Sequence, residues 1–464
     1  MSSAKKLRNL PAVDEVLRSP QLTEDCLSQP RPQLVGWIRT AIDHCRRKLL
    51  SGDDFNADEA LLNVIEETTR QQKQENGRCQ QAVINATGIL LHTNLGRAPM
   101  AESAISRMRE SSGYANVEMN LISGKRSGRG ERACRLVQQL SGAEDAVIVN
   151  NCAAATMLVL QAVASGREVI VSRGQLVEIG GGYRLPEVFA ASGAALKEVG
   201  TTNRTYLRDY ENAIGENTGA IIRVHRSNFY QGGFVTEPDI TDLVALGKER
   251  KIPVIDDLGS GCMTDLSQYG LQEPTVPASV QAGADLTLFS GDKLFGGPQA
   301  GIIVGKNKFV EPLRRNPMMR ALRVDKVTLA AIAATAEIHM SGRAEDELPL
   351  LQMMSRSPES LRKTAESVHA EVRAPAGVTL QVVECISEVG GGSVPGSSIP
   401  SFGIRLTGTD SEMIAKLLRS EAPAVLGRIS DDAVILDLRT VVPAQLPTLI
   451  ARLQTALDST GDAS

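Results

Sequence analysis

At 464 residues the chain is too long for one ordinary hydrophobic core, and two or three domains are expected. Its 42% hydrophobic and 22% charged content is that of a soluble globular protein; no apolar run reaches bilayer length and the N-terminus lacks a signal peptide's apolar core, so a cytoplasmic, non-membrane protein is expected. A net charge of −4 gives no bulk attraction to nucleic acid, and 3% aromatics, with Trp37 the single tryptophan, argue against a base-stacking platform.

Seven cysteines are scattered without a CxxC pair, and five histidines lack metal-ligand spacing. Neither a disulfide framework nor a metal site is expected. Residues 1–75 read as a small helical domain: "PAVDEVLRSP", then "PQLVGWIRTAIDHCRRKLL" and "DEALLNVIEETTRQQKQ", separated by Pro30, Pro32 and "SGDDFNAD". Its first part is basic, with nine Lys/Arg against five acids over residues 1–50; residues 51–80 reverse this with seven acids against three bases.

From "QAVINATGILLHTNLG" (81–96) the texture changes to short apolar strands and glycine turns. Strands are expected at "AVIVN" (146–150), "EVIVS" (168–172), "GAIIRVH" (219–225), "IPVIDD" (252–257), "DLTLFS" (285–290) and from "IIV" (302–304), with helices such as "AAATMLVLQAVAS" and "EPDITDLVALGKERK" between them. Strand–helix alternation with β-branched buried strands predicts a mostly parallel α/β sheet over a large domain, residues 76–344. Residues 345–464 read as a small α+β domain: a helix over "PLLQMMSRSPESLRKTAESVHAEV", strands at "SFGIRLTG" and "AVILDLRTV", helices at "DSEMIAKLLRSE" and "LPTLIARLQTAL". "GGGSVPGSS" (390–398) reads as a turn or linker, and no internal repeat is visible.

"FSGDKLFGGPQAG" (289–301) sets Lys293 between a buried strand and a glycine turn. An amine in that position suits Schiff-base chemistry with pyridoxal phosphate, which asks three further things of a protein. Its phosphate is held by N–H groups at a helix N-terminus, its ring nitrogen faces a carboxylate, and it lies at the carboxyl ends of parallel strands. "IVNNCAAATMLVL" (148–160) offers Asn151, Cys152, Ala153 and Ala154 at a strand-to-helix turn. "IPVIDDLGSG" ends a strand with Asp256 and Asp257, which alternation points to opposite faces. Asp257 is favoured, because Gly259 two positions on lets the chain pass under a ring. Ser290 is placed to add a hydroxyl to the phosphate. "GKRSGRGERACR" (124–135) lacks the Walker spacing and reads either as a mobile basic loop or as part of an anionic site shared across a subunit boundary.

"INATGILLHTNLGRAPM", "VNNCAAAT", "SRGQLVEIGG", "VIDDLGSG" and "FSGDKLFGGPQAGIIVG" together resemble the bacterial selenocysteine synthase family, the L-seryl-tRNA(Sec) selenium transferases, over nearly the whole chain. The resemblance implies an aspartate-aminotransferase-like fold (pyridoxal-phosphate fold type I). It also implies a homo-oligomeric ring, a decamer in the bacterial enzymes, and an N-terminal domain that grips the tRNA decoding selenocysteine. On this reading Lys293 carries the cofactor and removes the Cα proton of the tRNA-borne serine, Asp257 supports the ring nitrogen, the β-hydroxyl leaves, and selenium arrives from selenophosphate. Arginines are natural donors for that anion. The resemblance carries the role to Arg97, after Gly96, and to Arg320 and Arg323 in "RRNPMMRALRVDK", three apart in a turn begun by Asn316–Pro317. "SRGQLVEIGGGYR" (172–184) lines the site without an assignable role for Gln175 or Glu178, and no ring-stacking residue stands out. Two other readings stand beside this one. A pyridoxal-phosphate lyase for a free small amino acid or amino sugar would have no evident need for the N-terminal helices. An RNA-binding scaffold without catalysis would not need Lys293, a strand-end acid and Ser290 together.

Overall fold

The computed structural model describes residues 7–77, 79–408, 410–420 and 422–461, and the chain divides into two compact units, Met1–Ala82 and Val83–Ser464. The first unit is built on helices α1 (Arg31–Ser51) and α2 (Ala57–Asn76). Pro32 starts α1, where its missing N–H costs nothing. Leu34, Ile38, Ala41, Cys45 and Leu49 then recur at helical spacing and are its buried stripe. Asn56 caps α2 reciprocally with Glu59, the side chain of each accepting the other's backbone N–H. Val16, Cys26, Val64 and Ile65 close the core of this unit.

The second unit holds a seven-stranded sheet. Its strands are β1 (Asp145–Val149), β2 (Glu168–Ser172), β3 (Ala195–Val199), β4 (Thr218–Val224), β5 (Val254–Gly259), β6 (Leu286–Ser290) and β7 (Gly301–Gly305). They lie in the order β1-β7-β6-β5-β4-β2-β3, parallel except for β7, which runs antiparallel to both neighbours. This is the mostly parallel α/β sheet expected from the sequence. Every residue of β6 and β7 is buried, as sheets covered on both faces require. The edge strand β3, "ALKEV", was absent from the sequence expectation; its half-exposed, charged residues give only a weak strand signal.

A second, four-stranded antiparallel sheet comprises β8 (Thr379–Ser387), β9 (Ile399–Thr407), β10 (Arg428–Ser430) and β11 (Ala433–Asp437), in the order β8-β9-β11-β10. The single helix expected over "PLLQMMSRSPESLRKTAESVHAEV" is two, Pro349–Ser355 and Pro358–Glu371. Pro358 bars the helical conformation at Ser357, whose hydroxyl instead caps the new helix at Ser360 N. Among the described residues no helix is long and apolar enough to cross a membrane.

Candidate active site

The carboxyl ends of β1, β4, β5 and β6 converge on a cavity of about 290 Å³ lined by Arg97, Asn151, Cys152, Ala153, Asp257, Ser290 and Lys293 among others. Seven residues singled out in the sequence thus meet there.

Lys293 follows β6 and is 8% exposed. Its amine donates a long hydrogen bond of 3.4 Å to the Gly392 carbonyl. Burial lowers its pKa, Arg97 lowers it further, and Asp292 and Asp257 oppose them. The result is an amine eased toward its neutral, nucleophilic form. Asp257 is buried too, and burial raises its carboxyl to about 6 against the pull of Thr156 and Lys293. Thr156 Oγ1 donates to Asp257 Oδ2 at 3.0 Å, and Cys152 Sγ lies 3.9 Å from Oδ1. The Cys152 thiol is pushed well up by burial and by Asp257, which keeps it neutral. Strand alternation separates the two adjacent acids as expected. Asp256 lies outside the cavity lining and takes a bidentate grip from Arg223 at 2.7 Å, with Ser279 Oγ donating at 2.5 Å.

Helix α3 (Cys152–Ala164) begins at the cavity. Asn151 is its cap, its side chain accepting from Ala154 N at 2.9 Å. That bond occupies the Ala154 N–H, leaving Cys152 and Ala153 at the N-terminus facing the cavity. Ser290 Oγ donates to Asp292 Oδ1 at 2.6 Å, and Arg97 Nη1 donates to Asp292 Oδ2 at 2.7 Å. Arg97 stands at φ 64° after Gly96 at φ 88°, and its buried Nε has no partner among the described residues. A donor left over in a lined cavity is what an anionic ligand would satisfy. A primary amine, a carboxyl group, a helix N-terminus and a spare guanidinium donor form a donor set that fits pyridoxal phosphate.

Sequence reasoning missed several groups. Thr156 stands one helical turn after Cys152, and that spacing could have identified it. Tyr183 closes one side from the short hairpin Glu178–Ile179 and Tyr183–Arg184, with its hydroxyl pKa raised by burial. His225 and Ser227 line the cavity just beyond β4. His225 Nε2 lies 3.3 Å from the fully buried Glu273 carboxylate. Gln175 is buried beside the site: its Oε1 accepts from Val224 N, while Glu178 pairs with Arg184 at the surface. "GGGSVPGSS", read as a turn or linker, comes back over the lysine through Gly392.

Arg320 and Arg323 lie elsewhere. They are exposed and line a separate cavity of about 550 Å³, together with Arg129, Arg135 and Arg314. Part of the basic segment 124–135 therefore shares their cavity, and Arg129 is fixed there by two hydrogen bonds to Val324 O.

Comparison with known proteins agrees with the geometry. The model of the L-seryl-tRNA selenium transferase family matches residues 83–442, and that of the selenocysteine synthase N-terminal domain matches residues 7–46. The chain is 44% identical over 451 residues to the L-seryl-tRNA(Sec) selenium transferase of Carboxydothermus hydrogenoformans, covering 96% of this chain and 97% of that one. It is 42% identical over 453 residues to the enzyme of the same name from Geobacter sulfurreducens, covering 96% and 98%. Among solved structures, a D-glucosaminate-6-phosphate ammonia-lyase shares the fold, with a TM-score of 0.56 at 20% identity over 84% of this chain and 98% of that one. Matched along nearly its full length, the chain belongs to the L-seryl-tRNA selenium transferase family.

Proposed function

We propose that the protein converts seryl-tRNA(Sec) to selenocysteinyl-tRNA(Sec), with pyridoxal phosphate held by Lys293 and selenium taken from selenophosphate. The observation that carries this reading is the meeting of the Lys293 amine and the Asp257 carboxyl in one cavity at the strand ends. Pyridoxal phosphate, when bound, supplies the electron sink that lets the Cα–H of an attached amino acid ionise. Lys293 would hold the cofactor through Nζ and, when its amine is free, would take the Cα proton of the seryl ester at Nζ. That proton is then available to the departing β-hydroxyl, which leaves as water. Asp257, oriented by Thr156, would face the ring nitrogen of the cofactor and favour its protonated form. Cys152 and Ala153 at the α3 N-terminus would bind the phosphate, joined by Ser290 when its hydroxyl turns from Asp292.

Arg97 offers its unsatisfied Nε to selenophosphate in this cavity. Arg320 and Arg323 complete that anion site from a second copy of the chain in a homo-oligomer, a decamer by resemblance to the family. The helical unit Met1–Ala82 grips the tRNA through the exposed Arg31, Arg39, Arg46, Arg47 and Lys48 of α1. Such contacts make binding fall with salt.

The test is a visible absorption scan of the purified protein loaded with pyridoxal phosphate. A lysine-bound cofactor band that shifts with seryl-tRNA(Sec) and not with free serine is expected. A shift with free small amines alone would favour a lyase. A protein that forms no band with added cofactor would end the reading.

A further inference from the structure

Aromatic residues make up only 3% of the chain, yet three fall within the seven residues "NFYQGGF" (228–234). All three are in solvent: Phe229 is 38% exposed, Tyr230 74% and Phe234 82%. The loop that carries them is firmly held. Asn228 Nδ2 donates to Glu178 O at 2.8 Å, and Gln231 Nε2 donates to Thr202 O at 2.8 Å. Asn203 and Arg204 side chains both donate to Phe234 O, at 2.6 and 3.3 Å. A backbone tied down at this many points while its rings stand in water displays those rings rather than burying them.

Two arginines accompany the rings. The Arg204 guanidinium lies 5.5 Å from the Phe234 ring centre, and that of Arg208 lies 4.8 Å from the ring of Tyr206, itself 38% exposed. Neither has a carboxylate partner among the described residues. Cations seated on aromatic faces with no counter-ion form a surface complementary to single-stranded nucleic acid, whose bases stack and whose phosphates pair.

The loop also opens directly on the active-site cavity. His225 and Ser227, which line it, immediately precede the loop. Tyr230 packs close to Gly396, in the same glycine segment whose Gly392 carbonyl accepts from Lys293. The loop thus adjoins, through Ser227, the lining of the cavity that holds Lys293. We propose that residues 228–234, with Arg204 and Arg208, form the platform on which the unpaired 3′-terminal nucleotides of the charged RNA stack while its seryl ester occupies the Lys293 cavity. This inference rests on the proposed function and adds to it the surface that receives the end of the RNA.

The test uses the full-length protein and transcripts of selenocysteine tRNA, either intact or lacking the unpaired 3′ nucleotides, at one fixed salt concentration. Wild-type protein is expected to bind the intact transcript more tightly than the truncated one. Tyr230→Ala and Phe234→Ala should each weaken the intact complex by between about fivefold and about a hundredfold. The double variant should no longer distinguish the two transcripts, while Tyr230→Phe keeps the distinction. With 2-aminopurine as the terminal base, wild-type protein should quench its fluorescence and the double variant should not. A double variant that discriminates and quenches as the wild type does would overturn the platform. So would a change of sedimenting mass in the alanine variants at unchanged discrimination, which would assign the rings to a contact between copies of this chain. Wild-type protein that binds neither transcript would remove the functional reading itself, and the platform with it.

Discussion

Asp257 carries a cost in the protein without its cofactor. Its carboxyl is raised to about 6 from an ordinary 3.8, mainly by burial. The folded state therefore binds the proton more tightly than the unfolded chain, and stability falls as pH rises through the window from about 4 to about 6. Two pKa units correspond to on the order of 2–3 kcal/mol above that window. Asp257→Asn removes the titrating group. The cofactor-free variant should show a flatter dependence of Tm on pH between 4 and 7 than wild type, and a higher Tm at pH 7. It should also bind pyridoxal phosphate more weakly, because a cationic ring nitrogen is what the ionised carboxylate answers. Equal pH profiles for the two proteins would show that burial does not penalise this charge. Asp256, one position earlier, is held by Arg223 and Ser279. Asp256→Asn should cost stability without touching cofactor affinity.

At the scale of the element, the glycine segment after β8 bears most directly on the lysine. Gly390, Gly391 and Gly392 all have positive φ, and a Cβ on Gly392 would stand 2.9 Å from Lys293 Nζ. Gly392→Ala combines backbone strain with intrusion on the amine, and a loss of roughly 1–3 kcal/mol in stability is expected. Pyridoxal-phosphate titration of the variant, followed by absorbance, should show weaker loading. Unchanged loading would mean that the segment is free to move aside. Residues that act within a few positions of one another were legible in the sequence. Lys293 stood out between strand and glycine turn, Asp257 by alternation together with Gly259 two positions on, and Asn151–Ala153 by the strand-to-helix turn. The Gly392 carbonyl reaches the lysine from 99 residues away, and nothing local in "GGGSVPGSS" encodes that approach. His225 and Tyr183 were hidden for a related reason. Each owes its place to the end of a strand or hairpin whose direction only the assembled sheet fixes. The edge strand β3 and the break at Ser357–Pro358 show the same limit, the first lacking apolar pattern and the second masked by the helical pattern on either side.

At the scale of the whole molecule, the chain divides into two compact units, and the proposed function assigns RNA binding to the first and the chemistry to the second. Lys293→Ala should abolish turnover and leave tRNA affinity nearly intact. Removal of residues 1–75 should do the reverse, lowering tRNA affinity while the cofactor band persists. Filter binding and absorbance on the same preparations check both; a truncated protein that binds charged tRNA normally would refute the assignment of RNA grip to the first unit.

The four-stranded sheet has a part in this division as well. Two stretches of chain run side by side from it toward the cavity, joined by Glu388 N to Gly88 O, Leu90 N to Glu388 O and Leu91 N to Val389 O. The first is hung on the sheet by Asp437 N to Ala86 O and by Gly88 N to Thr440 Oγ1. It leads to Arg97, and the second leads to Gly392. A tilt of that sheet against the seven-stranded one would therefore carry guanidinium and carbonyl together, like two tines of one fork. Entry of the seryl ester, release of the lysine amine and arrival of the anion would then be timed by a single hinge, and a clamp placed across the two sheets, far from any reacting atom, would halt all three.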